Sequence, residues 1–114
     1  MKRNLLWALS NQKQGRWYLS QVHGFDLNTK DKKYFHLIKD TVPHLLNDLV
    51  VVADNLFITD TYFSAIYQFN IASQKLELFI KSPQLKYPNG IAPGKDKKIY
   101  VASYGTGLLQ VDIS

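Results

Sequence analysis

The sequence predicts an all-β fold, and three observations support this prediction. Runs of four to nine residues, rich in apolar, β-branched or aromatic side chains, recur along the chain, each bounded by Asn, Asp, Gly, Lys or Pro. No long stretch has the periodicity of an amphipathic helix. The gaps between runs, three to eight residues, suit hairpins and leave no room for crossover helices, so the sheets should be antiparallel meanders.

Ten strands are expected, each placed on one apolar run. They are Leu5–Ser10, Trp17–Phe25, Tyr34–Lys39, Asp48–Val52, Leu56–Asp60, Ala65–Ile71, Leu76–Lys81, Gly90–Pro93, Ile99–Ser103 and Leu108–Ile113. The polar segment "SNQKQGRW" predicts a long connection between the first two strands. The eighth strand has the weakest signal, because "PNG" at 88–90 is typical of a turn.

Composition restricts the class of protein. A chain of 114 residues forms at most one domain, and 46% hydrophobic residues are enough for a packed core. The absence of cysteine excludes disulfides and thiol nucleophiles. The net charge of +5 comes largely from "KDKK" at 30–33 and 95–98, which we interpret as solvated turns and not as a nucleic-acid surface.

The first residues have the basic start of an export signal, but the apolar stretch Leu5–Leu9 is shorter than the ~7–15 residues such signals use. No stretch approaches the ~18 apolar residues of a membrane span. We therefore expect neither a membrane partner nor export. The sequence does not fix the compartment; the lack of an export signal and of cysteine weakly favours a cytoplasmic location.

An internal repeat organises the strands. The offset is 42 residues from Asn47 to Asn89 and 43 from Ile58 to Val101, and "FDLNT" precedes the similar "FNIAS" by 44. A unit of this length that holds four short strands is typical of a β-propeller blade. The repeat therefore predicts four-stranded blades.

The chain accommodates about two and a half blades. Residues 5–39 are assigned to a partial blade, 47–81 to a complete one and 89–113 to another partial one. Propellers close with about four to eight blades, so we expect a fragment of a presumed six-bladed ring. The uncovered faces and strand edges also predict self-association of the 114-residue chain.

Three polar residues stand where the first strand of a blade begins, nearest the central channel: Asn47, Asp48 and Asn89. Amide and carboxylate oxygens that converge there are ligands for a hard cation such as calcium. A structural alternative remains open for each residue, since "PNG" is a turn signal and "ND" could cap a turn. Asp60, at the end of another strand, is expected to form hydrogen bonds between blades.

The segments "LLNDLVV", "NLFITDT", "YPNGIA" and "KKIYVAS" resemble the regucalcin/gluconolactonase family and its relatives, the paraoxonases and strictosidine synthase. The likeness is clearest over residues 45–112. The resemblance implies that Asn89 ligates a catalytic divalent metal and that Asn47 contacts the substrate or the metal. The paraoxonase pattern adds Asp48 to the calcium site. Calcium is the expected metal, with zinc as the alternative.

The implied activity is hydrolysis of a small-molecule lactone or ester. Further acidic ligands of the family would lie outside this chain, so the 114 residues alone are expected to be inactive. No catalytic residue is assigned, because His23, His36 and His44 do not match a catalytic histidine of the family. The alternative function is a non-enzymatic, NHL-like propeller that binds a ligand or a protein. A strictosidine-like activity is a third, weaker alternative.

Overall fold

The computed structural model describes residues 4–114, which form ten β-strands. The strands are β1 (Leu5–Gln14), β2 (Trp17–Asp26), β3 (Lys32–Asp40), β4 (Leu46–Val52), β5 (Asn55–Asp60), β6 (Ala65–Asn70), β7 (Lys75–Lys81), β8 (Pro88–Pro93), β9 (Lys98–Ser103) and β10 (Gly107–Asp112). Within this range, no helix has the length and apolar character needed to cross a membrane.

The strands form three meandering sheets in chain order. Sheet 1 contains β1–β3, sheet 2 contains β4–β7 and sheet 3 contains β8–β10. Every neighbouring pair is antiparallel. The prediction of an all-β fold with antiparallel sheets is therefore confirmed.

The polar segment after Ser10 is not a long connection, as the sequence had suggested. β1 continues to Gln14, which pairs with Trp17, and a two-residue turn at Gly15 and Arg16 joins the strands. Gly15 has a φ of 59°, which glycine adopts without the steric cost of a side chain. The expected boundary was wrong because backbone pairing with β2, and not apolar burial, extends the strand.

Side chains alternate between the two faces of sheet 2 along each strand, so one face packs against sheet 1 and the other against sheet 3. On β5, Leu56 and Ile58 belong to the core that includes Val22 of sheet 1. Phe57 points to the opposite core, which includes Ile99 and other residues of sheet 3. The middle sheet thus holds the outer two sheets to either side of it.

One backbone hydrogen bond recurs in all three sheets. In each sheet two consecutive strands form a hairpin. The backbone N–H of the residue just after the second strand donates to the backbone carbonyl of the residue just before the first strand. The donor and acceptor are Leu27 and Asn4 in sheet 1, Ile71 and Asp54 in sheet 2, and Ile113 and Lys97 in sheet 3, each at 2.9 Å. The acceptor residue directly precedes β1, β5 or β9, so these three strands occupy equivalent positions in their sheets. The division into blades 5–39, 47–81 and 89–113 of one propeller stays a prediction.

The joins between sheets also fall at equivalent positions. The side-chain amide of Asn11 donates to the carbonyl of Leu46 and accepts from its N–H, both at 2.9 Å. At the next join, the hydroxyl of Thr61 donates to the carbonyl of Pro88 at 2.6 Å. Each bond holds the first residue of the next sheet, where β4 or β8 begins.

Candidate functional site

The three predicted site residues lie in matching irregularities of two strands. Asn47 and Asp48 fall between the pairs Leu46–Asp60 and Leu49–Ile58, where two residues of β4 face one of β5. The same shift occurs in β8, where Asn89 and Gly90 stand between the pairs Pro88–Ser103 and Ile91–Val101. Such bulges redirect side chains and are common beside functional sites.

These positions correct the turn interpretation. The segment 88–90 lies inside β8 and is not a turn, and the positive φ of 53° falls on Tyr87, just before it. Asn47 and Asp48 lie inside β4 and do not precede it. The Asn–Gly signal therefore marks a bulge in a strand and not a chain reversal.

Asp48 joins β4 to β8 through its carboxylate. One oxygen, Oδ2, accepts from the backbone N–H of Ile91 at 3.0 Å, and Oδ1 accepts from the N–H of Leu49 at 2.9 Å. In both bonds the carboxylate is the acceptor and a backbone N–H is the donor. The half-buried side chain of Asp48 therefore has a structural role between two sheets.

Two threonines complete the join, and sequence reasoning missed both. Thr59 is fully buried, and its hydroxyl donates to the carbonyl of Asn89 at 2.7 Å. The hydroxyl of Thr61, which donates to Pro88, also accepts from the side-chain amide of Asn47 at 3.0 Å. The side chain of Thr61 therefore links Asn47 to Pro88, the residue before Asn89. The spacing in "TDT" could have indicated this, since alternate residues of an extended chain share a face.

The two asparagines are exposed where β4 and β8 begin. Among residues 4–114, the amide oxygen of Asn47 accepts no hydrogen bond and the side chain of Asn89 forms none. Asn89 also lines an open groove of about 520 Å³. The other lining residues are Gly90, Ala102, Ser103, Tyr104, Gly107 and Leu108. We name this region the amide edge, defined by Asn47, Asp48 and Asn89.

The amide edge has the type of donor atom that a hard cation prefers, but it has too few of them to complete a coordination shell. It offers two amide oxygens and one carboxylate, whereas calcium takes about six to eight oxygen ligands. In the part of the chain that the structure describes, no group of three or more His, Asp or Glu residues is arranged to hold a metal. These residues could therefore supply part of a coordination shell.

A second polar cluster lies beside the amide edge, and the sequence did not predict it. His44 and Asp60 are both buried, with Nδ1 of the imidazole 2.6 Å from Oδ2 of Asp60. On the other side of the ring, Nε2 is 3.0 Å from Oδ2 of Asp40. We name these three residues the ion clamp. The bond from His44 and a backbone bond from Val42 hold the pKa of Asp40 below its usual value.

Asp60 does not bond between sheets, which corrects the expectation from sequence. Its second oxygen, Oδ1, accepts from the backbone N–H of Leu45 at 2.9 Å and of Phe63 at 3.1 Å. All its partners therefore belong to sheet 2 or to the segment just before it. Tyr67 lies against the same group, and its pKa is raised by burial and by the charge of Asp60.

The other histidines lie in strands of sheet 1, apart from these two groups. His36 is in β3, where its ring meets Phe69 edge-on at 6.3 Å between centroids. His23 is in β2, with Nε2 2.9 Å from the hydroxyl of Ser10. Its pKa is lowered by burial and by the charge of Lys32. Neither ring contributes to the amide edge.

Comparison with known protein families finds no family that matches the chain. A comparison with curated proteins likewise finds no match.

Proposed function

We propose that the amide edge is part of a divalent-cation site of a lactone or ester hydrolase. The parent protein is proposed to resemble the regucalcin/gluconolactonase type, a six-bladed propeller of which this chain forms part. The observation that carries the proposal is the join between Asn47, Thr61 and Pro88, which brings the two repeat-related asparagines to one edge. Asn47 and Asn89 are the proposed ligands, and Asp48 is the third.

Three features support the propeller arrangement. The recurring backbone bond relates the three sheets by offsets close to those of the sequence repeat. The sheets stack face to face, and β8 lies beside both β4 and β5. The bulges at the beginnings of β4 and β8 fall 42 residues apart. Four-stranded units that stack in this way are typical of propellers.

The residues of the edge have distinct proposed roles. The amide oxygens of Asn47 and Asn89 are available as ligands, while Asp48 fixes the separation of their strands through Ile91. A bound divalent cation polarises the carbonyl group of a lactone or ester and stabilises the oxyanion that forms. Calcium is the proposed metal because the donors are all oxygen, and zinc is the alternative.

Calorimetric titration of the chain with Ca²⁺ tests this proposal. The variants Asn47→Ala and Asn89→Ala should each weaken binding at least about tenfold. Asn28→Ala is the control, because Asn28 is an exposed asparagine in a turn of sheet 1. Equal Ca²⁺ affinities for all four proteins would rule out the edge as a cation site.

A second candidate function is a non-enzymatic platform for a ligand or protein. The observation that favours it is the groove of about 520 Å³ beside Asn89, which is lined by Ala102, Leu108 and the highly exposed Tyr104. The carboxylate of Asp48 also accepts hydrogen bonds from two backbone N–H groups, a structural role that requires no metal. An edge that binds no cation would leave this function as the better proposal.

A further inference from the structure

In the ion clamp, both nitrogens of the buried His44 ring need a proton. The side chain of His44 is 2% exposed and stands between two carboxylates, with its ring nitrogens 2.6 Å from Asp60 and 3.0 Å from Asp40. Ionised carboxylates only accept hydrogen bonds, so each ring nitrogen must donate. A neutral imidazole has one N–H, whereas the imidazolium has two. Two donated bonds therefore imply the charged ring.

The carboxylate of Asp60 is surrounded by hydrogen-bond donors. Its Oδ1 accepts from the backbone N–H groups of Leu45 and Phe63. Asp60 is fully buried, and a buried anion needs a partner of opposite charge. His44 is the group in direct contact with it that can carry a positive charge.

We propose that His44 is held as an imidazolium between Asp60 and Asp40 and that this ion clamp positions the beginning of β4, including Asn47. The clamp is independent of the proposed function, because it fixes the edge whether or not the edge binds a cation. His44 is a positioning residue and not a general base. With both nitrogens donating, the ring has no free lone pair with which to take a proton.

A short chain of bonds connects the clamp to the amide edge. Asp60 holds the N–H of Leu45, and the carbonyl of Leu45 accepts from the N–H of Thr61 at 2.8 Å. The hydroxyl of Thr61 then accepts from the side chain of Asn47. Displacement of Asp60 would therefore move both the backbone before β4 and the threonine that contacts Asn47.

The other charged and titratable groups near the ring come from β6 and β7. The hydroxyl of Tyr67 is 3.4 Å from Nδ1 of His44. The ring of Phe63 lies 4.5 Å from the imidazole, between centroids. Lys81 lies 3.9 Å from the centroid of that same phenyl ring and donates to the carbonyl of Phe63. The direct partners of His44 are thus anionic or neutral, and the nearby cation approaches the phenyl ring.

Nitrogen NMR of the histidine rings tests the protonation state directly. Spectra of the ¹⁵N-labelled chain are recorded from about pH 5 to pH 8, a range that spans the ordinary histidine value near 6.5. His44 should show two protonated ring nitrogens across this range. His23 and His36 serve as references in the same sample. A neutral His44 ring at pH 7 in the folded chain would overturn the proposal.

Two variants test the positioning role. His44→Phe keeps a ring but leaves Asp60 charged and unpaired, so the melting temperature should fall by roughly 10–20 °C. Asp40→Asn keeps the buried pair and tests the clamp in a folded protein if the first variant does not fold. In Asp40→Asn the side-chain amide signals of Asn47 should move, because the ring loses one of its two carboxylate partners.

Asp54→Asn is the matched control, because Asp54 is exposed in the turn between β4 and β5. It should change neither the His44 ring signals nor the Asn47 signals. Asn47 signals that respond equally to Asp40→Asn and Asp54→Asn would contradict positioning by the clamp.

Discussion

The beginnings of β4 and β8 have the same backbone arrangement but different side-chain chemistry. Both strands have a bulge at their second and third residues. The N–H of Thr61 donates to the carbonyl of Leu45 before β4, and the N–H of Tyr104 donates to Tyr87 before β8. These bonds are 2.8 and 3.0 Å long. The repeat thus reproduces the path of the chain at both strands.

The side chains at equivalent positions differ. Asp60 holds His44 at the beginning of β4, whereas Ser103 forms a neutral bond to the carbonyl of Lys86 at β8. Asp48 bonds to the neighbouring strand, while its counterpart 42 residues later is Gly90. The repeat therefore specifies the backbone geometry, whereas the contacts of each side chain depend on the segments that pack against it.

The largest expected difference between the two regions comes from the ion clamp. Asp60→Asn should lower the free energy of unfolding by about 3–5 kcal/mol, because it removes the buried one of the two carboxylates that contact His44. Ser103→Ala at the equivalent position should cost about 1 kcal/mol, since it removes a neutral hydrogen bond. Urea denaturation of both variants measures the difference. Equal losses would show that the two strand beginnings are held alike.

Removal of the Asp48 carboxylate should have the next largest effect. Asp48→Ala leaves the N–H of Ile91 without its acceptor, and the expected loss is about 2 kcal/mol in the same assay. Asp54→Ala, in an exposed turn, should stay within about 0.5 kcal/mol of the parent chain. A loss for Asp48→Ala no larger than for this control would mean that the bond between β4 and β8 does not contribute to stability.

Acid should weaken the ion clamp through Asp40. The pKa of Asp40 is lowered in the folded chain, chiefly by the bond from His44. This carboxylate therefore stabilises the fold above its unfolded value near 3.9, and the contribution is lost as the pH falls through the lower, folded value. Melting temperatures from pH 6 to pH 2 should fall less steeply for Asp40→Asn. Parallel curves for the two proteins would contradict this link.

The smallest effect is expected at Gly90. An added Cβ would be 4.0 Å from both Oδ2 of Asp48 and Cβ of Ala102, an ordinary contact, so Gly90→Ala should change stability by less than about 1 kcal/mol. Gly24→Ala is the contrasting variant, because its Cβ would come within 2.6 Å of the Trp7 ring. We expect a loss of about 1–3 kcal/mol there. Similar losses for the two variants would show that Gly90 is also closely packed.

Much of the fold could be predicted because apolar runs and short gaps report directly on strands and hairpins. The exceptions have physical causes. The end of β1 is polar and is held by backbone pairing with β2, which composition does not reveal. "PNG" was interpreted as a turn because Asn and Gly tolerate positive φ, yet Tyr87 takes that conformation and the segment forms a bulge.

The candidate site could be predicted only in part. The repeat indicated Asn47 and Asn89 because they share a position in it. The pairing of His44 with Asp60 could not be read from the sequence, since their contact depends on how the segment before β4 folds against the end of β5. The partners of Asp60 were wrongly expected in a neighbouring blade for the same reason.

The most direct test of the central claim is whether one cation reaches both asparagines. Mn²⁺ added in small amounts to the ¹⁵N-labelled chain broadens the NMR signals of nearby groups. The side-chain amides of Asn47 and Asn89 should broaden together, before those of Asn28, and excess Ca²⁺ should restore them. Broadening of one asparagine without the other, or of neither, would contradict a shared cation site at the beginnings of β4 and β8.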